Sequence, residues 1–140
     1  MRVRTDVYSL ADVTAEELRW ARQPWQRWPC LRDEDVGPKE LARLGEVLGV
    51  GVFNDVLGGF SFLAGESQES PWVVALPERL ARRLVEVADD EIMSAAVDWS
   101  EALDREIAPP ADHLATYLRG MVDFLAKHDG PYVLYVTLDT

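Results

Sequence analysis

At 140 residues the chain is the length of one domain, and with 48% of its residues apolar it can bury one proper core. Its charge is lopsided: 25 acidic residues against 14 basic ones give −11 at neutral pH. That balance argues against a nucleic-acid binder, which needs a concentrated basic footprint, and against docking on anionic lipid.

Composition narrows the setting further. No stretch approaches the ~18 apolar residues that a bilayer-spanning helix needs. The start, Met1-Arg2-Val3-Arg4-Thr5-Asp6, lacks the apolar core of a signal peptide. Cys30 is the single cysteine, so no internal disulfide forms, and the expected address is cytoplasmic. An excess of acid suits a basic protein partner, because opposite fields steer and orient an encounter.

In chain order, Arg2–Leu10 alternates, with Val3, Thr5 and Val7 on one side and Arg4, Asp6 and Tyr8 on the other. This period of two predicts a half-buried strand. Thr14 followed by Glu17 reads as a capping box, opening a helix that Pro24 cuts short. From Gln23 to Gly37, two prolines and the acidic run Asp33-Glu34-Asp35 predict an irregular segment. A second helix starts near Pro38, buries Leu41, Leu44 and Leu48, and stops at Gly49 or Gly51. Val52–Leu57 fits either a strand or a helix. The β-prone runs Phe60–Ala64 and Trp72–Leu76, joined by the polar loop Gly65–Ser70, predict a hairpin.

The second half is more regular. Pro77 opens a helix with Leu80, Leu84 and Val87 inward and Arg79, Arg82 and Arg83 toward solvent. Asp89 or Asp90 is expected to cap the next, whose stripe is Ile92, Ala95, Ala96, Trp99 and Leu103. Pro109-Pro110 separates it from a last helix beginning near Asp112. Leu114, Tyr117, Leu118, Met121 and Leu125 form the stripe of that helix, and Gly130 stops it. Tyr132–Leu138 is apolar on both faces and reads as an interior strand. No repeat, low-complexity tract or linker divides the chain, so residues 1–140 read as one domain. The expected class is α+β: about four strands in a mixed or antiparallel sheet with about five helices packed on it. The first and last strands are candidates for the central pair.

The order Leu76-Pro77-x-x-Leu80, the helix ending Ala96-x-x-Trp99-x-x-Ala102, the proline break and the closing strand resemble small bacterial proteins of the YfbM-like kind, a domain of unknown function. The resemblance covers the second half of the chain and implies no catalytic residue. Twelve of the 14 basic residues are arginine, and alanine is abundant, a composition typical of a GC-rich bacterial genome.

Catalytic and metal-binding patterns are weak throughout. His113 and His128 are fifteen residues apart on one expected helix, about 22 Å at ~1.5 Å per residue, and cannot share an ion. No metal and no cofactor is expected. Cys30, in Trp28-Pro29-Cys30-Leu31, has no histidine near it in sequence and reads as a small buried hydrophobe. No Gly-x-Ser-x-Gly elbow occurs, and the glycines at 49, 51, 58 and 59 match neither a dinucleotide fingerprint nor a P-loop. Asp98 and Glu101 flank Trp99, but Glu101 and Arg105 read as an exposed ion pair at i, i+4.

The feature above background is Trp20, Trp25 and Trp28 within nine residues, interleaved with Arg22, Arg27 and Arg32. Tryptophan and arginine together are common interface anchors, so Trp25, Arg27 and Trp28 are candidates for a partner- or ligand-binding rim. Plugging an irregular segment onto the core explains the same residues. The function expected from these features is a non-catalytic binding or regulatory module. It would be of the immunity type, neutralising a basic partner through acids such as Asp33, Glu34 and Asp35. The alternative is a small-molecule site or enzyme with a Trp-lined pocket around Trp25 and Trp28.

Overall fold

The structure, a computed structural model, describes residues 2–33, 36–64, 71–103 and 109–139. Among these residues five strands form one open antiparallel sheet: β1 (Arg2–Ser9), β2 (Leu31–Asp33), β3 (Ser61–Ala64), β4 (Trp72–Ala75) and β5 (Tyr132–Asp139). Their order is β2-β1-β5-β4-β3. The chain's two ends make the centre: β1 and β5 pair along their whole length, from Arg2 opposite Asp139 to Ser9 opposite Tyr132. β5 lies between β1 and β4, as its two apolar faces require. The hairpin forms too, with β3 bulged between Phe62 and Ala64. The loop at Gly65–Ser70 and the proposed Glu101–Arg105 pair lie outside the described residues.

Among the described residues six helices accompany the sheet: α1 (Ala15–Trp20), α2 (Pro38–Val47), α3 (Phe53–Gly58), α4 (Glu78–Val85), α5 (Ile92–Ala102) and α6 (Ala111–Lys127). The architecture is therefore α+β, with one strand and one helix more than the pattern indicated.

Local chemistry sets most boundaries. The Thr14 hydroxyl accepts the Glu17 N–H at 3.1 Å, and Glu17 accepts the Thr14 N–H at the same distance. Glu40 accepts the Gly37 N–H at 2.8 Å where Pro38 opens α2. Gly49, at φ +79°, ends that helix in a conformation that costs other residues strain. Arg83, expected in solvent, instead reaches back to the Leu48 carbonyl at 3.1 Å, satisfying one of the carbonyls that the end of α2 leaves open. Val52–Leu57 resolves as helix: α3 packs on α2, where a Cβ added at Gly45 would sit 2.8 Å from Val56. Neither Asp89 nor Asp90 caps α5. A 3₁₀ turn at Asp89–Glu91 leads into it, and Glu91 takes the Ala88 N–H at 3.0 Å.

Two cores result, one on each face of the sheet. Val7, Val74, Leu134 and Val136 point into the larger, against α2, α4, α5 and α6. Trp99 sits within it, fully buried, its indole N–H donating to the Glu40 carbonyl at 2.8 Å and its ring 6.1 Å from Tyr117. Tyr8, Val73, Val133 and Tyr135 point the other way, covered by Val13 and Leu18. This second cover corrects the half-buried reading of β1. Asp6 and Tyr8, expected on an open face, are 1% and 0% exposed because α1 and the segment after it fold over them.

Candidate functional site

The segment from α1 to β2 carries the most unusual chemistry. Leu18 is fully buried under the sheet, and Trp20, two residues or about 200° further round the helix, points outward and is 70% exposed. Its indole N–H donates to Glu16 at 2.7 Å, and the Arg19 guanidinium lies 4.9 Å from its ring centre. Gln23, at φ 49°, turns the chain into a 3₁₀ helix at Pro24–Gln26, and β2 follows at the sheet edge. That strand was hidden in the supposedly irregular segment, because three residues are too few to show a period.

Of the expected rim residues, Trp25 and Trp28 are both half-buried. Arg32 covers the Trp25 ring at 4.2 Å and Arg27 covers Trp28 at 4.6 Å, while Trp28 also packs against the Tyr8–Leu18 core. Three arginine–tryptophan stacks thus occur within fourteen residues, Arg19 to Arg32. Each holds a guanidinium against a ring face, an arrangement worth about 0.5–1 kcal/mol where exposed.

Arg32 has a second task. Asp6, opposite it in the β1–β2 register, lies 3.3 Å from its Nε. Cys30, half-buried beside Tyr8, is a free thiol. Burial pushes it above its ordinary value, outweighing the Tyr8 hydrogen bond and Arg32, so at neutral pH it is protonated and a poor nucleophile.

On the other face of the same edge, Asp33 is turned inward, 10% exposed, with its Oδ2 3.2 Å from His113 Nε2. It is therefore not a surface acid; Glu34 and Asp35 lie outside the described residues. Beside it the hydroxyls of Thr5 and Tyr117 are buried and accept or donate no hydrogen bond among the described residues. Burial, followed by the charges of Asp33 and Asp6, pushes the Tyr117 phenol far above its usual range, so it stays neutral. An orphaned buried hydroxyl is a cost. Tyr117→Phe is accordingly expected to raise stability by about 1 kcal/mol, read from the thermal midpoint. A drop of that size would instead place an ordered partner on the hydroxyl.

His128, at the other end of α6, stacks on Phe124 at 4.3 Å and lies 3.3 Å from Asp12. Each histidine has its own carboxylate, and no group of three or more metal-ligating side chains exists among the described residues. A groove of about 530 Å³ runs between the turn before α5 and α6, where the Thr116 hydroxyl is spent on the Asp112 carbonyl at 3.0 Å.

One surface escaped the sequence reading. Ile92, Ala95, Ala96 and Trp99 face inward on α5, which leaves Met93 and Val97, four residues apart, on its outer side at 48% and 39% exposed. Exposed Asp98 and Glu101 flank them, and Asp89 and Asp90 stand at the helix start. The signal was present in the helical projection: a second apolar pair about 120° round the helix from the buried stripe.

No family model, curated protein or solved structure matches this chain. No helix among the described residues is long and apolar enough to cross a membrane.

Proposed function

We propose that this chain is a non-catalytic binding module of the immunity type, whose outer helical face neutralises a basic protein partner. The observation that carries this reading is the outer side of α5, where exposed Met93 and Val97 lie among Asp98, Glu101, Asp89 and Asp90. An apolar centre rimmed by charge is the usual anatomy of a protein interface. The rim here is acidic, in keeping with the net charge of −11. The acids steer a cationic surface in, and the apolar pair supplies contact once water leaves. The protonated state of half-buried Cys30 and the separate pairing of the two histidines fit a role without catalysis.

A small-molecule pocket lined by Trp25 and Trp28 gains less support, because Arg32 and Arg27 already cover those rings. In this reading the same tryptophans brace the sheet edge.

The test is partner capture from lysate of the source organism, followed by affinity measurement on the purified pair. Asp98→Lys together with Glu101→Lys is expected to weaken binding about 10- to 100-fold, and raising salt should narrow the gap between variant and native. Equal affinity of native and variant at low salt would remove α5 from the interface.

A further inference from the structure

The outer side of α5 limits the shape of partner that can cover it. Asp90, at the turn leading into the helix, is exposed there, as are Met93, Ser94, Val97, Asp98 and Glu101. We infer that the partner's contact element is a basic amphipathic α-helix, with apolar side chains one turn apart seated among these residues. The inference rests on α5 being a docking surface, as proposed above, and adds the structure of what docks there.

Spacing is the first observation that points to a helix. Residues at i, i+3, i+4 and i+7 enclose a hollow that one side chain of a facing helix fills. Ser94, Val97, Asp98 and Glu101 have that spacing, and so do Asp90, Met93, Ser94 and Val97. The two hollows share Ser94 and Val97, and their centres lie four residues apart, about 6 Å along the axis. Side chains at i and i+4 of a facing helix stand at the same interval. The short Ser94 side chain fills neither hollow, and the flexible Met93 adapts to whatever apolar group arrives.

The second observation is what α5 withholds. Along its shaft the backbone N–H and C=O groups bond within the helix, so an incoming chain finds no backbone partner. An extended segment laid over Met93 and Val97 would bury its own peptide groups unpaired, at a cost. A helix arrives with its backbone satisfied, and only side chains meet.

Charge sets the chemistry of that helix. Asp90 stands at the corner of one hollow, Asp98 and Glu101 at corners of the other. Among the described residues no cation pairs with any of the three, whereas Arg83 takes their neighbour Glu91 at 3.3 Å. Lysine or arginine on either side of the partner's apolar pair therefore meets a carboxylate at both ends.

The experiment uses the full-length protein and two labelled synthetic peptides of identical length and Lys, Leu and Ala content. In one the leucines recur with the period of a helix, in the other with that of a strand. Fluorescence anisotropy measures affinity, and circular dichroism the helix gained on binding. The helix-period peptide is expected to bind about 10-fold tighter than its isomer, and to gain helix as it does. Ser94→Gln fills the shared corner at unchanged charge with a good helix former, and Val97→Ser removes the apolar side of both hollows. Thermal midpoints verify that each variant is folded. Each should cost the helix-period peptide about 10-fold in affinity and leave the strand-period peptide unaffected. Absent binding or equal affinity of the two peptides overturns the inference. So does binding without helix gain, or native affinity in both variants. If the peptides fail while Asp98→Lys with Glu101→Lys still weakens the captured partner, the docking face stands and the helix does not. Unchanged affinity of that charge variant for the captured partner at low salt removes the face itself, whatever the peptides do.

Discussion

Trp99→Ala is expected to cost about 3–5 kcal/mol. Trp99 is fully buried where α2, α5 and α6 meet, and its indole N–H ties α5 to the Glu40 carbonyl of α2 at 2.8 Å. Alanine removes the ring and that hydrogen bond together, and the surrounding helices cannot collapse fully into the space. Since domains are stable by only about 5–15 kcal/mol, the variant should unfold at much lower denaturant, or not fold at 37 °C. Trp99→Phe separates the two contributions: it keeps much of the packing and loses the N–H, so its cost should be about half or less. Urea midpoints at constant slope measure both. A Trp99→Ala loss below about 1 kcal/mol would mean the helical layer repacks freely, contrary to the close packing of protein interiors.

The second large effect belongs to Arg32. Arg32→Met is expected to destabilise by about 2 kcal/mol, because it takes a guanidinium from Asp6, a carboxylate that is 1% exposed. Arg32 itself is one-third exposed, so water compensates part of the loss and the figure falls below that for a fully buried pair. The same change uncovers the Trp25 ring, which Arg32 holds at 4.2 Å. Denaturation should therefore be accompanied by a shift in native-state tryptophan emission. Replacing both partners, Asp6→Asn with Arg32→Met, should recover part of the stability, since the neutral side chain tolerates burial better than the charge. Strictly additive losses in the double variant would show that the two side chains do not interact.

These effects sit at places of unequal legibility. The buried stripes of α2, α4, α5 and α6 could be read directly, because each is a periodic pattern within one segment. The Thr14–Glu17 capping box is equally local, a matter of two side chains and the backbone between them. β5 was recognisable as interior because its residues are apolar on both sides, whatever lies next to it. The Trp–Arg interleaving was visible too, and each ring did acquire a guanidinium.

What the sequence by itself determined, then, is element type and inward face wherever the pattern repeats within a single element, along with the overall α+β class and the acidic charge. Tertiary structure decided the rest. Asp6 and Tyr8 alternate as a solvent face would, and only the folding of α1 and the segment after it across the sheet buries them. Asp33 sits in an acidic run and looks exposed, yet the pairing of β2 with β1 turns it toward His113. Trp20 faces water because α1 spends Leu18 on the core, and Met93 and Val97 do so because α5 spends its other stripe on α2 and α6. The physical reason is common to all four. Burial of a side chain depends on which second element arrives to cover it, and that arrival is set by long-range packing, whereas periodicity reports only what a segment can offer.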